Sequence, residues 1–219
     1  MLGYQRGGRV LGKLHLQRGM TMIELMVGIA IVALLLALTA PSFSSWIQST
    51  QIRTAAETLQ NGLQLARAEA VRRNNLVRFQ LTDTLDNSCN ISTSGTNWVV
   101  SLGDPTGACA TPLADPANPT PPAPAIIQLR SGKEGSKNAQ VSTPQAAIVF
   151  NGLGRVTPVP AGDINFSVSN PVGGNCATLG GQLHCLRINV SPAGQVRMCD
   201  PMFPTADPKG CPVCAGCPF

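Results

Sequence analysis

Cysteine is the residue type in this 219-residue chain that offers the most varied chemistry, since eight are present and all lie after residue 88. A thiol can form a disulfide or, as a thiolate, can ligate a metal. The last three follow one another at two-residue intervals, a spacing that also occurs in zinc and iron–sulfur sites. The eight are Cys89, Cys109, Cys176, Cys185, Cys199, Cys211, Cys214 and Cys217.

Disulfide formation is favoured over metal ligation for these cysteines. The carboxyl-terminal tail lacks a fourth ligand at matching spacing, although Cys199 or His184 could complete a site in space. An even number of cysteines beyond an apolar segment indicates an oxidising compartment. We predict that Cys176 pairs with Cys185, that Cys89 pairs with Cys109, and that the tail is crosslinked to Cys199, with no metal and no cofactor.

Enzymatic chemistry finds little support in the sequence. Nucleophilic catalysis needs a base beside the nucleophile, and after residue 19 the chain has one histidine, His184, next to Cys185. A structural role is favoured for that histidine. No glycine-rich phosphate loop follows a strand and opens a helix. We therefore predict that the protein is not an enzyme.

A single acidic residue, Glu24, lies in the apolar segment 20–40, MTMIELMVGIAIVALLLALTA. As a helix this segment covers about 31 Å, enough to cross a bilayer. A carboxylate inside such a helix costs about 2.5 to 3.5 kcal/mol unless something compensates it. The preceding basic residues predict a cytoplasmic leader and a head outside the inner membrane. They are Arg6, Arg9, Lys13 and Arg18.

A new amino terminus could compensate the Glu24 charge. Gly19 lies five residues before Glu24, and cleavage between Gly19 and Met20 would leave a free α-amine at the start of the same helix. That cation on one subunit could neutralise Glu24 on its neighbour. A secretory signal is a weaker alternative, because cleavage after Ala40 would not give a small-x-small site. An uncleaved signal anchor is the other alternative.

The run from Arg18 to Leu25, followed by the apolar segment and Pro41, resembles the class III signal of type IV pilins and type II secretion pseudopilins. In that family a prepilin peptidase cuts after the glycine and methylates the new amine. The resemblance implies cleavage between Gly19 and Met20 and N-methylation of Met20, although the family usually has Phe at that position.

The same resemblance implies the partners of the chain. It implies that Glu24 and Pro41 act in filament assembly, in which the amino-terminal helix packs among those of other pilins. An inner-membrane assembly platform and the prepilin peptidase are further implied partners. The expected location is the bacterial inner membrane, as a single-pass protein with its head in the periplasm, and the filament after assembly.

Beyond Pro41, which should kink or locally open the helix, apolar residues recur at helical spacing and predict an amphipathic helix over 41–75 that ends near Asn74 and Asn75. The buried face should consist of Ile52, Ala55, Ala56, Leu59, Leu63, Ala66 and Ala70. The predicted organisation is a leader over 1–19, a transmembrane helix over 20–40, the amphipathic helix, and a β-rich head over 76–219.

Short runs with period-two alternation, bounded by Gly, Pro, Asn and Ser, predict a mostly antiparallel sheet assembly packed on the helix, an α+β fold. The predicted strands are Val77–Leu81, Trp98–Leu102, Ile126–Leu129, Ala147–Phe150, Ile164–Val168, Cys185–Val190 and Gln195–Cys199. The segment 111–125 holds six prolines and is expected to be a solvated surface loop.

Two predicted hairpins, Ile148–Val156 and Arg187–Pro201, resemble those of the GspH/FimT branch of pilin-like proteins. DNA receptors of that branch carry a GRxR-like element in the last strand. The corresponding residues here are Gly194, Gln195, Val196 and Arg197, so one arginine, a bidentate phosphate donor, is replaced. A patch of Arg155, Arg187, Arg197 and Lys209 could still contact DNA.

Charge argues against strong attraction to a polyanion. Four of the sixteen basic residues lie in the leader, which leaves twelve basic against eleven acidic residues in the rest of the chain. We therefore predict a structural minor pilin or pseudopilin that acts in filament assembly and initiation. A DNA-binding minor pilin of a competence pilus is the alternative, and the sequence leaves open whether the filament is a type IV pilus or a type II secretion pseudopilus.

Overall fold

The computed structural model describes residues 19–115, 118 and 120–212, with no description of the side chains at 38–43. The chain divides after Pro41 into two compact units. Over the described residues the α-helix and strands are α1 (Met22–Arg73), β1 (Val77–Thr82), β2 (Asn97–Ser101), β3 (Ile126–Arg130), β4 (Gln140–Ser142), β5 (Ala147–Phe150), β6 (Ile164–Ser169), β7 (Leu186–Val190) and β8 (Val196–Cys199), and two short 3-10 helices lie between β6 and β7. Leader residues 1–18, Cys214 and Cys217 lie outside the described residues.

The first unit contributes the amino-terminal part of α1. The helix runs through Pro41 without interruption, and the kink expected there stays a prediction. Large apolar side chains between residues 20 and 36 are 52% to 86% exposed. In the described part of the chain, no helix reaches both the length and the apolar character that crossing a bilayer demands. The membrane segment at 20–40 stays a prediction.

In the second unit, the carboxyl-terminal part of α1 packs on the head through the face that the sequence predicts. The seven predicted residues from Ile52 to Ala70 are each at most 1% exposed. They share one core with the inward side chains of both sheets, among them Phe79 and Phe166, whose rings meet edge to face at 6.1 Å. The helix ends at Arg73, just before the predicted Asn74.

The head contains two four-stranded sheets, both antiparallel. Their strand orders are β3-β2-β1-β5 and β4-β6-β7-β8. The fold is therefore α+β with a mostly antiparallel head, as predicted. Each of the seven predicted strands is present, with boundaries within one residue of the predicted ones. Strand β4 was not predicted, because it has only three residues and a single buried side chain, Val141.

The first predicted hairpin is present, but its second half is too short to form a strand. After β5 the chain turns back, and the amides of Asn151 and Thr157 donate to the carbonyls of Arg155 and Val149 at 2.9 and 2.8 Å. Val156 forms an isolated bridge with Phe150, its own amide donates to the carbonyl of Pro192 at 3.2 Å, and Pro158 has no amide to continue the ladder. The second hairpin is present as β7 and β8, and its turn is closed by Ser191 and Gln195.

Gly62 allows α1 to approach the sheet closely, so a larger residue there should destabilise the head. An added Cβ would lie 2.9 Å from Phe79 and 3.1 Å from Trp98. We expect Gly62→Val to lower the free energy of unfolding by about 1 to 3 kcal/mol, since overpacking forces a core to shift. Denaturant unfolding measures the change. Asn61→Ala, at an exposed neighbouring position, is the control, and its free energy of unfolding should stay within about 0.5 kcal/mol of the wild-type value. Equal destabilisation by the two substitutions would contradict the close contact at Gly62.

Candidate functional site

The start of α1 is fixed by a side-chain cap. Thr21 immediately precedes the helix, and its Oγ1 accepts a hydrogen bond from the backbone amide of Glu24 at 3.3 Å. Its carbonyl accepts from the amide of Leu25 at 3.2 Å. The pattern Thr21-x-x-Glu24 has the spacing of a capping box, which satisfies amides that the first helical turn leaves open. The cap thus determines where the helix begins.

Glu24 therefore lies in the first turn of α1, where the helix dipole favours negative charge. Met20 is 78% exposed, and an added Cβ at Gly19 would meet no described atom within 4 Å. The Gly19–Met20 bond thus precedes the helix. One capped helical turn therefore lies between the Gly19–Met20 bond and the Glu24 carboxylate.

Thr21 is a positioning residue that the sequence analysis missed. Its signal was present in the sequence, because Ser or Thr followed three residues later by Glu, just before an apolar run, is typical of a helix start. The capped turn shows that Gly19 and Met20 lie before the helix, which spacing alone did not establish.

Three disulfides crosslink the described part of the head. Cys89 is bonded to Cys109, Cys176 to Cys185, and Cys199 to Cys211. The first two are the predicted pairs, and the third attaches the tail to Cys199 as predicted. The loop from Asp200 to Gly210 is held further by the amide of Asp200, which donates to the carbonyl of Lys209 at 2.8 Å. The disulfides thus hold segments that contribute little to the sheets.

Removing the disulfide that holds this loop should destabilise the head. The bond between Cys199 and Cys211 closes a loop of 12 residues. Because the reduced chain has more freedom when unfolded, the free energy of unfolding of the Cys199→Ser, Cys211→Ser protein should be lower by about 2 to 3 kcal/mol. Denaturant unfolding measures this difference. The Cys89→Ser, Cys109→Ser protein opens a loop of 20 residues and should lose about 0.5 kcal/mol more. A larger loss from the shorter loop would contradict this explanation.

His184 and the neighbouring Cys185 do not form a catalytic pair. His184 Nδ1 lies 3.1 Å from Asp200 Oδ2, which ties the start of β7 to the carboxyl-terminal loop. Cys185 is bonded to Cys176, so it offers no thiolate for His184 to activate. Within the described ranges, no group of three His, Cys, Asp or Glu side chains is placed to hold a metal.

Two of the four candidate DNA contacts, Arg187 and Arg197, lie on neighbouring strands and interact with other parts of the head. The pairing of β7 with β8 places Arg187 opposite Cys199 and Asn189 opposite Arg197, so both arginines are on one face of the sheet. Arg187 is only 5% exposed, and this burial lowers the pKa of its guanidinium. Arg197 Nη2 donates to the carbonyls of Pro208 and Gly210 at 2.6 and 3.1 Å.

The other two candidates lie on different loops. Lys209 belongs to the disulfide-closed loop, and its Nζ lies 5.6 Å from the centre of the Phe203 ring. Arg155 is exposed in the turn after β5, where its amide donates to Asn151 Oδ1 at 3.1 Å. The structure thus joins Arg197 and Lys209 through one loop, buries Arg187, and leaves Arg155 on a separate turn.

These features define a class. A helix with an exposed apolar amino-terminal part and one carboxylate in its first turn, together with a disulfide-closed antiparallel head, is characteristic of a pilin-like filament subunit. The family model described as type II transport protein GspH matches residues 55–194, and that of the prokaryotic N-terminal methylation motif matches residues 14–40. The chain belongs to the GspH family of pilin-like proteins. It is a structural subunit of the pilin or pseudopilin type and not an enzyme.

Solved structures give a second comparison. Two crystal structures of the type IV minor pilin FimU from Pseudomonas aeruginosa are similar to the chain, at 18% and 17% sequence identity. The similarity covers 67% of this chain in both cases and 90% and 87% of the FimU chains, with TM-scores of 0.42 and 0.44. The search of curated proteins returned no match.

Proposed function

We propose that the chain is a minor subunit that helps to start assembly of a type IV pilus or a type II secretion pseudopilus. A prepilin peptidase removes residues 1–19 and methylates the amine of Met20. The helix then waits in the inner membrane, with the head in the periplasm, until an assembly platform lifts it into the filament. The observation that carries this proposal is Glu24, in the capped first turn of an exposed apolar helix inside the methylation motif.

The role of Glu24 follows from electrostatics. A carboxylate and an ammonium attract each other several times more strongly in a low-dielectric environment than in water. The α-amine of Met20 on one subunit is the cation that can face Glu24 on its neighbour when helices pack side by side. The exposed apolar surface between residues 20 and 36 needs a cover, and lipid before assembly and neighbouring helices after assembly both provide one.

Fractionation of the native host tests this function. Filaments sheared from the cells should contain the protein in far smaller amounts than the major subunit. A deletion strain should make fewer filaments, and the wild-type gene should restore their number. If the protein stays entirely in the membrane fraction and the deletion strain assembles normal filaments, the proposed role is wrong.

Capture of DNA is not favoured, and the purified protein should show no salt-sensitive DNA binding. Arg187 is buried, and Nη2 of the exposed Arg197 already donates to two backbone carbonyls, so Arg187 is withheld from a phosphate and one donor of Arg197 is occupied. Titration with duplex DNA at two salt concentrations measures this, because each phosphate contact adds to the salt dependence of binding. Tight binding that weakens steeply with salt, and that Arg155→Ala with Lys209→Ala removes, would instead support the competence-pilus alternative.

A further inference from the structure

The turn after β5 and the turn between β7 and β8 meet beside the carboxyl-terminal end of α1. A Cβ added at Gly154, in the first of these turns, would lie 3.1 Å from Val71 Cγ2 and 3.2 Å from Arg67 Nε. The second turn packs against the first, because the amide of Val156 donates to the carbonyl of Pro192 at 3.2 Å. The helix end and the two turns therefore form one continuous part of the head.

A groove of about 460 Å³ lies on the exposed face of α1 next to the first turn. It is lined by Gln64, Arg67, Ala68, Val71 and Arg72. Val71 is 51% exposed, and Leu153, the residue before Gly154, is 79% exposed. An exposed apolar surface with a polar rim is typical of a site that another molecule covers. We call this groove, together with Leu153 and Arg155, the turn surface.

Carboxylates are nearly absent from the segments that form the turn surface. Segments 58–82, 143–162 and 184–199 include the helix end and both turns, and they contain one acidic residue, Glu69. The Glu69 carboxylate pairs at 2.7 Å with each of the two arginines that end α1. Its charge is therefore already balanced within the helix.

Two arginines of the turn surface have no ion-pair partner. Arg67 and Arg155 are exposed, and among the residues that the structure describes neither lies within ion-pair distance of a carboxylate. The next acidic residue toward the start of α1, Glu57, lies ten residues before Arg67, which is about 15 Å along a helix. Glu57 pairs with Arg53 at 2.8 Å. The turn surface therefore carries positive charge that no described carboxylate neutralises.

The combination of an apolar groove and unpaired arginines indicates the kind of partner. A nucleic acid would satisfy the arginines through its phosphates, but it would leave the apolar side chains of Val71 and Leu153 without an apolar cover. A protein surface that carries a carboxylate beside an apolar side chain answers both features. Opposite charges that meet across such an interface set partner choice and orientation.

We propose that the turn surface docks a neighbouring filament subunit of different sequence, whose carboxylate pairs with Arg67 and whose apolar side chain enters the groove against Val71. This inference rests on the proposed function, because a minor subunit is surrounded in the filament by subunits of other kinds. The contact is made by the head and is separate from the pairing of Glu24 near the start of α1. It fixes the rotation of the head relative to its neighbour.

Zero-length crosslinking of sheared filaments tests the chemistry of this partner. A carbodiimide joins a lysine amine to a carboxylate in contact with it, and the water lost from the new amide converts the carbodiimide to a urea. Arg67→Lys keeps the positive charge and supplies the amine. We expect filaments that contain this variant to give a crosslink between residue 67 and a carboxylate of another pilin-type subunit, which peptide mass spectrometry locates. Wild-type filaments give the background from the existing lysines.

Arg130→Lys is the matched control for the crosslinking. Arg130 pairs with Glu134 of the same chain at 3.5 Å, so this variant should give an internal link and no link to another subunit. Filaments that contain the Arg67→Lys protein without any link at residue 67 would overturn the turn-surface contact and leave the proposed function intact. A link from residue 67 only to a second copy of this chain would also overturn it. Absence of the wild-type protein from filaments would instead contradict the proposed function itself.

Charge reversal provides a second, independent test in the native host. Arg67→Glu should lower the amount of the protein in sheared filaments at least about tenfold, while leader removal and the denaturant midpoint of the purified protein stay unchanged. Lys137→Glu makes the same change at an exposed lysine whose neighbour, Asn138, contacts Gln51, about 24 Å from Arg67 along the helix. It should leave incorporation unchanged.

Two results of this test would overturn the inference. One is normal incorporation of the Arg67→Glu protein, since a docked carboxylate would then face a like charge without effect. The other is salt-sensitive binding of duplex DNA by the purified wild-type protein that Arg67→Glu abolishes, because it would assign the turn surface to a nucleic acid.

Discussion

Gly19→Val is expected to leave the leader attached to nearly all of the protein and to remove the protein from filaments. The residue before the cut bond has to fit the peptidase, and a β-branched side chain replaces a residue that has none. The substitution should not disturb the described fold, because an added Cβ at Gly19 meets no described atom within 4 Å. Loss from filaments would therefore reflect failed cleavage. Immunoblots of membrane and sheared filament fractions measure both effects.

Gly28→Ala is the matched control for this experiment. Gly28 also has open surroundings, but it lies inside α1, where alanine favours the helix by up to about 1 kcal/mol relative to glycine. Its leader should be removed normally and the protein should reach the filament. Normal processing of Gly19→Val would contradict the proposed cleavage site, whereas failure of both variants would indicate a general effect of small-residue changes.

Glu24→Ala is expected to separate processing from assembly. The leader should still be removed, and the protein should stay in the membrane, since loss of the carboxylate relieves a cost of about 2.5 to 3.5 kcal/mol in an apolar environment. Incorporation into filaments should fall at least tenfold, which corresponds to about 1.4 kcal/mol of lost pairing with the α-amine of a neighbour. Quantitative blots of sheared filaments against the major subunit measure the change.

Two variants control for charge and for helix structure. Glu57→Gln removes a carboxylate whose ion pair with Arg53 is at the surface, and it should leave incorporation unchanged, because exposed pairs contribute little. Thr21→Val removes the cap but keeps the carboxylate, and should lower incorporation only partly. Normal incorporation of Glu24→Ala would contradict the pairing with the neighbouring amine.

Local patterns predicted the elements of the fold well. The seven buried residues of α1 recur at three- and four-residue steps, and such spacing shows which face of a helix is buried before any partner is known. Strands β5 and β6 have long apolar side chains between turn residues. In both cases the signal is contained in a few neighbouring residues.

Features that depend on distant partners were harder to predict. Strand β4 forms because Gln140–Ser142 pairs with β6, more than twenty residues away. The return after β5 stops at one bridge between Phe150 and Val156, and the amide of Val156 pairs with Pro192 in the other turn. Nothing within either segment indicates these pairings.

The same distinction holds for the candidate sites. Gly19 and Glu24 are recognisable from adjacent residues and from the cost of a buried charge. The grouping of the four basic residues depends on strand register and on a loop that recruits Arg197 through its carbonyls. A list of basic residues therefore overestimates the charge that is available to a phosphate.

Mass spectrometry of the amino-terminal peptide, from protein extracted from native membranes, tests the central claim most directly. We expect the mature chain to begin at Met20 and to carry one methyl group on its α-amine. A chain that still carries residues 1–19, or that begins at any other residue, would contradict the proposed maturation and, with it, the pairing of Glu24 with a neighbouring subunit.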